Sequence, residues 1–307
     1  MIVKGPHPTT EPGIIFLQTS SELNPKPLVM CSIESAARLN PNKPVYFFMK
    51  AFTGNVSAFW EPEYKAIPLL SSFKNVIILP LNPQELFHNT PLAGWYEKVD
   101  PSKEVHWIHV LSDGCRLVLL WKYGGIYLDT DTISLKPLEF RNFIVAESAN
   151  YASNGILGFN RSHPFLENCL TDFVEKYNGA VWGQQGPTLI TRNLKKWCGT
   201  DLLDQFLNKE CKGIGPAKYP VMSWHQKPPF TGHIVEGKPK RNVSQGTQLA
   251  RLAPATTQGH PRLENLFTSL ITARKQLTLN LLVRVFSLHT FCLMEGVVGD
   301  HYRGGSR

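Results

Sequence analysis

The chain has 307 residues, 42% of them hydrophobic, and 32 Lys and Arg against 24 Asp and Glu give a formal charge of +8. That length buries one substantial core, with room for a small second lobe. The basic residues are scattered rather than gathered into a run, which excludes a polyanion-binding tail and, with it, nucleic acid as a partner.

The first 140 or so residues alternate strand-like and helix-like patterns. "GIIFLQT" (13–19) is a short apolar run between turn residues and predicts a buried strand. "PLVMCSIESAARL" (27–39) sets Val29, Ile33, Ala36 and Ala37 on one helical face. "VYFFMK" (45–50) and "NVIILPL" (75–81) are further β-branched and aromatic runs, hence strands. "HWIHVLSDGCRLVLLWKYGG" (106–125) predicts a long helix with an apolar face of Ile108, Leu111, Cys115, Val118 and Leu119, stopped by Gly124-Gly125. "IYLDTD" then reads as the next strand. Such alternation implies an α/β fold with a mostly parallel central sheet and ligands gathered where strands end.

A strand that runs into two aspartates poses a problem. Side chains two apart on a strand share a face, so Asp129 and Asp131 would lie roughly 6–7 Å apart and repel. A hard divalent cation relieves that repulsion, above all when phosphate oxygens complete its shell. Two solvated aspartates in a turn are the plainer reading. The preceding helix adds weight to the first. Asp113 and Arg116 share one helical face. Counting down the helix to the glycines and back up the strand brings all four residues to one level, roughly 12–20 Å from the turn. An acid–base pair beside a metal-binding pair of acids suits a nucleotide-activated sugar, while a plain structural ion pair between Asp113 and Arg116 is the alternative.

Further on, Phe165, Cys169, Phe173 and Tyr177 recur every four residues and mark a core-facing helix. Asn154-Gly155 reads as a turn signal and Gly186-Pro187 as a helix breaker. Beyond Trp224 the texture changes, with Pro, Gly and polar residues dominating 226–261. The apolar stretch 277–298 contains Arg284, His289 and Glu295 and reads as amphipathic rather than membrane-spanning. None of the six cysteines forms a C-x-x-C pair, against a zinc or thioredoxin-type site. Cys198 and Cys211 are spaced equally well for a short disulfide or for two buried thiols. Glycosylation acceptors begin at Asn55, Asn160 and Asn242 and, with the cysteines, lean toward a secretory compartment.

"SDGCRLVLLWKYGGIYLDTDTISLKPL", together with "GIIFLQTS", "MCSIESAARLNP", "PLAGWYEKV", "SNGILGF", "DFVEKYNGAVWGQQGPTLITR" and "KKWC" in order, resembles the DXD-type α-1,4-glycosyltransferases over roughly residues 13–223. The resemblance implies a GT-A, Rossmann-like fold and a UDP-sugar-dependent, retaining enzyme of the Golgi lumen, anchored as a type II membrane protein. By the same resemblance Asp129 and Asp131 hold Mn²⁺ and the diphosphate. Asp113 and Arg116 contact the donor sugar, and Asn154 with the 182–187 segment, Gln185 and Gly186 in particular, walls the donor or acceptor site. The donor implied is UDP-N-acetylglucosamine, with UDP-galactose as the other candidate. The acceptor is a galactose-terminated O-glycan or glycosphingolipid. Residues 1–12 read as a stem remnant, 13–223 as the catalytic domain and 224–307 as a divergent segment. The family's late His-x-Trp-Asn element is missing from that segment. A catalytically impaired relative that binds glycan or UDP without turnover is therefore the alternative, and a sugar-nucleotide hydrolase a third reading.

Overall fold

The computed structural model describes residues 12–54, 66–146, 150–201, 203, 210–216 and 221–223. They fall in the first of two units, Met1–Val235; the second is Glu236–Arg307. Residues 1–11, the segments 224–307 and 277–298, Asn55 and Asn242 lie outside the described residues.

The chain runs β1 (Ile14–Gln18), α1 (Pro27–Leu39), β2 (Val45–Met49), α2 (Ala66–Leu70), β3 (Val76–Pro80), α3 (Pro83–Phe87), α4 (Ala93–Lys98), α5 (Trp107–Tyr123) and β4 (Gly125–Leu128). It continues through β5 (Thr132–Ser134), β6 (Phe143–Ala146), β7 (Ala152–Phe159), α6 (Pro164–Glu175), α7 (Pro187–Cys198), β8 (Gly215–Pro216) and β9 (Val221–Ser223). Seven strands form one sheet in the order β3-β2-β1-β4-β7-β6-β8. The β3-β2-β1-β4 half is parallel, whereas β7 pairs antiparallel with both β4 and β6. The mostly parallel sheet predicted from sequence is therefore present.

Both sheet faces are covered, which explains why the strands are apolar throughout rather than alternating. Ile15, Leu17, Tyr46, Phe48 and Tyr127 pack in one core with Leu111, Cys115 and Val118 of α5 and Phe165, Cys169 and Phe173 of α6. Their strand neighbours Ile14, Phe16, Val45 and Phe47 turn to the other core, against Ile33, Ala36 and Ala37 of α1. Each fully buried side chain of this size contributes about 1.5–3 kcal/mol, so two-sided burial fixes the register.

After β1 the chain moves outward through β2 and β3, then crosses back through α5 to place β4 on the other side of β1. The crossing point lies at the carboxyl ends of β1 and β4, the place where open α/β sheets bind ligands in a crevice. The turn from α5 into β4 needs its glycines. Gly124 has φ +69° and Gly125 φ +120°, and a Cβ at Gly125 would collide with the Gly13 carbonyl oxygen, which accepts from the Ile126 N–H at 2.9 Å. No side chain fits there.

Four expectations need correction. Ile108 is 53% exposed, because α5 is buried from Val110 onward and not in its first turn. β4 ends at Leu128, so Asp129 and Asp131 occupy the turn before β5 instead of one strand face. Asn154-Gly155 lies inside the fully buried strand β7, opposite the irregularity between Ile144 and Ala146 of β6 and with the Gly155 carbonyl accepting from the Asp129 N–H; its tertiary setting overrides its turn preference. Tyr177 lies beyond the end of α6, half-buried against the core. Cys198 and Cys211 form a disulfide, settling the alternatives left open by spacing. Among the described residues, no helix is long and apolar enough to cross a membrane.

Candidate active site

The centre of the crevice is a buried guanidinium. Arg116, on α5, is 6% exposed, and its helical neighbour Asp113 is 8% exposed. Arg116 Nη2 lies 3.3 Å from Asp113 Oδ1, and Nη1 lies 3.0 Å from Asp129 Oδ1. Nη1 also donates to the Asn154 carbonyl at 2.9 Å, and Nη2 to Ser112 Oγ at 2.9 Å. The guanidinium carbon stands 4.7 Å from the centre of the Tyr127 ring, a cation–π contact in a desolvated setting. The Asn154 amide donates to Asp113 Oδ1 at 2.6 Å. α5, β4, the β4–β5 turn and β7 therefore meet at one positive charge, flanked by two carboxylates.

Burial shapes the electrostatics. It raises the Asp113 carboxyl from 3.8 to about 6, against the pull of Arg116. Burial alone would lower Arg116, but Asp129, Tyr127 and Asp113 hold it above its ordinary value. Burial likewise keeps the Tyr127 phenol protonated far above its usual range, so its hydroxyl donates to Asp129 Oδ1, at 2.7 Å.

The two aspartates of the turn are presented by α1 as well as by β4. Ser32 Oγ, fully buried, lies 2.7 Å from the Thr130 carbonyl, and Ser35 Oγ accepts from the Ser134 N–H at 3.0 Å. The turn closes with Thr132 N–H donating to the Asp129 carbonyl at 3.1 Å, while the Asp129 N–H donates to the Gly155 carbonyl at 2.8 Å. Asp129 Oδ1 is thus occupied by Arg116 and Tyr127. Its Oδ2 takes no hydrogen bond from the described residues and lies where a Cβ on Gly155 would come within 2.5 Å. Asp129 Oδ2 is a hard carboxylate oxygen, and Asp131 follows two residues on in the same turn; carboxylates are the donor type that Mg²⁺ or Mn²⁺ takes when phosphate and water complete the shell. Among the described residues, no group of three or more His, Cys, Asp or Glu side chains is arranged to hold a metal unaided.

The predicted site residues divide by placement. Asp113, Arg116, Asn154 and Asp129 converge, and Asp131 follows in the same turn. Gly186 closes the crevice from the α7 side: a Cβ there would lie 2.6 Å from Asn154 Nδ2 and 2.9 Å from Asp113 Oδ2. Gln185 is 2% exposed and faces away. Its Nε2 donates to the Phe173 carbonyl at 2.7 Å and its Oε1 accepts from the Asn178 N–H at 3.3 Å, so it braces the loop from behind. Sequence reasoning missed Tyr127, Ser32 and Gly155. Tyr127 carried a usable signal, since it precedes Asp129 by two residues in a strand pattern and so shares its side.

The profile described as "Glycosyltransferase sugar-binding region containing DXD motif" matches residues 26–151, and that described as "Alpha 1,4-glycosyltransferase conserved region" matches residues 158–226. The chain is 41% identical over 240 residues to the alpha-1,4-N-acetylglucosaminyltransferase of Homo sapiens, covering 77% of this chain and 70% of that one. It is 46% identical over 209 residues to the lactosylceramide 4-alpha-galactosyltransferase of Pan troglodytes, covering 68% of this chain and 58% of that one. Among solved structures it is similar to the PaToxG glycosyltransferase, with a TM-score of 0.47 and 20% identity over 60% of this chain and 68% of that one.

Proposed function

The chain belongs to the DXD-containing α-1,4-glycosyltransferase family, and from that premise we propose that it moves N-acetylglucosamine, or galactose, from a UDP-sugar onto a galactose-terminated O-glycan or glycosphingolipid. The new bond is α-1,4, formed with retention, and the site of action is the Golgi lumen, with a type II membrane topology. Its relatives' names support the two donors, and lactosylceramide ends in galactose. The Cys198–Cys211 disulfide and the exposed acceptor Asn160 favour a secretory compartment.

The observation that carries this reading is the Arg116 centre joined to the aspartate turn at the end of β4. A divalent cation, proposed as Mn²⁺, would be held by Asp129 and Asp131 and would neutralise charge on the departing diphosphate. Arg116 and Tyr127 fix Asp129 through Oδ1, which leaves Oδ2 aimed without rotamer freedom. Asp113, ionised above about pH 6, accepts hydrogen bonds from donor-sugar hydroxyls, and Asn154 holds its carboxylate in place. Gly186 lets the α7 loop close against this pair, which keeps water from the reacting carbon. No side chain is assigned as a nucleophile.

The test is titration of UDP-N-acetylglucosamine and UDP-galactose into the protein with and without Mn²⁺, beside Asp131→Asn, followed by transfer to N-acetyllactosamine and lactose. The reading expects Mn²⁺-dependent binding that the variant loses and an α-1,4-linked product. Binding indifferent to Mn²⁺ and to the substitution would overturn it. UDP binding without transfer would establish an impaired relative, and free sugar released without acceptor a hydrolase.

A further inference from the structure

Trp182 is the largest apolar side chain left in the open among the described residues, 62% exposed, next to Val181 at 48%. Its setting is not that of a loose loop tip. The loop folds on itself turn by turn, with Gln184 N–H donating to the Val181 carbonyl at 3.3 Å and Thr188 N–H to the Gly183 carbonyl at 3.1 Å. Gln185 pins it from behind, and Arg192 Nη1 donates to the Gln184 carbonyl at 3.1 Å. Two imidazoles from the start of α5 buttress the indole at steep angles: His109 at 4.4 Å between centroids and 71°, His106 at 5.2 Å and 80°. Burial, then His106 and Arg116, lower the His109 pKa against the pull of Asp129, so the His109 ring is uncharged at neutral pH.

The position matters as much as the exposure. His109 precedes Asp113 by one turn of α5, roughly 6 Å along the axis. At its other end the Trp182 loop reaches Gly186, whose Cα abuts Asp113 and Asn154. An open, braced aromatic surface is therefore tied at both ends to the proposed donor-sugar pocket. A single exposed side chain is ordinary by itself; what sets Trp182 apart is its bracing by two imidazoles and by the loop's own hydrogen bonds.

We propose that Trp182 is the platform for the acceptor's terminal galactose, which stacks on the indole through the face bearing its C3, C4 and C5 hydrogens. The inference rests on the galactose-terminated acceptor proposed above and adds the residue that selects it. In β-galactopyranose those hydrogens gather on one side of the ring while the axial O4 projects from the other. Polarised C–H groups are drawn to the negative face of an aromatic ring. Stacking in this sense turns O4, the hydroxyl to be glycosylated, away from the indole and leaves it open to reaction. The 4-epimer, a β-glucoside, has no axial O4 and loses C4–H from the stacked face.

The test compares wild type with Trp182→Ala and Trp182→Phe. The alanine variant should raise the KM for N-acetyllactosamine about tenfold, the upper range of an aromatic contact, with the KM for UDP-sugar within about twofold of wild type; phenylalanine should restore most of the loss. Saturation-transfer NMR with methyl β-galactoside, in the presence of UDP and Mn²⁺, should show its strongest signals at H3, H4 and H5, lost in Trp182→Ala and weaker for methyl β-glucoside. An unchanged acceptor KM, a parallel rise in both KM values, or no galactoside signal from the wild type would overturn the inference. The Mn²⁺-dependent UDP titration reports on the donor reading separately. A protein that binds UDP but shows no Trp182-dependent galactoside contact refutes the platform alone.

Discussion

Asp113→Asn should make the protein more stable while weakening donor binding. Burial holds this carboxyl at about 6 in the folded chain, against an ordinary 3.8. The folded state therefore keeps the proton to higher pH than the unfolded chain does. Stability falls as pH rises between those two values, and the full penalty is in place above about 6. At about 1.4 kcal/mol per pH unit the interval amounts to about 3 kcal/mol. Asparagine has the same shape, and its oxygen can still accept from Asn154 Nδ2, now at 2.6 Å. Its new amide N–H groups would replace Oδ2 beside Gly186; left unpaired, they cost about 1 kcal/mol. Arg116 is not orphaned, because Asp129, the Asn154 carbonyl and Ser112 remain. The expected gain is about 2 kcal/mol at pH 7.5, or about 4–8 °C in Tm for a domain of this size; near pH 4, where only the amide cost remains, it turns into a loss of up to about 1 kcal/mol. Urea denaturation at both pH values, followed by tryptophan fluorescence, measures it. A variant less stable at pH 7.5, or offset equally at both, would refute the reasoning and mark Asp113–Arg116 as a net stabilising pair.

Gly186→Ala places a methyl 2.6 Å from Asn154 Nδ2; it should lower UDP-sugar affinity at least about tenfold and cost about 1–3 kcal/mol of stability, read by calorimetry and urea denaturation. Ser32→Ala removes the hydroxyl that donates to the Thr130 carbonyl. A stability loss of about 1 kcal/mol should accompany a clear weakening of Mn²⁺-dependent UDP binding, and unchanged binding would show that α1 does not position the turn. Cys211→Ser opens a disulfide spanning a separation of 13 residues; about 3 kcal/mol should be lost, read as a lower urea midpoint than that of wild type under the same non-reducing conditions.

The α5–β4 hairpin was legible because its two glycines fix the turning point, so rise per residue alone puts Asp113, Arg116 and Asp129 at one level. What local pattern could not supply was tertiary. Asn154-Gly155 carries a turn signal, yet β7 runs through it as a buried strand, held by β4 from Ile156 onward and by β6 at Ala152 and Leu157, and only that path brings the Asn154 carbonyl onto Arg116. The aspartates lie past the strand end because the β4 ladder stops at Leu128 against Ile156. Ile108 fits the helical apolar period, but periodicity does not say where the covering layer ends. Gln185 lies in the segment expected to wall the site, and its two hydrogen bonds to the loop's own backbone have no signature in sequence.

The centre around Arg116 spans the chain: Asn154 follows Asp113 by 41 residues and Arg116 by 38. At roughly 5–20 residues per second, the ribosome delivers the last partner roughly 2–8 s after the first acid. Until β7 arrives, α5 and β4 have no neighbour on that edge of the sheet, and the charges of Asp113 and Arg116 stay in water. The penalty of about 3 kcal/mol for sealing Asp113 away is thus imposed late, when β7 adds eight buried residues at once. Chains ending before residue 152 should leave Asp113 titrating like any surface carboxylate, and released chains that include both β7 and the Gly186 loop should not. The emergence of one strand during synthesis turns an ordinary surface acid into a component of the site.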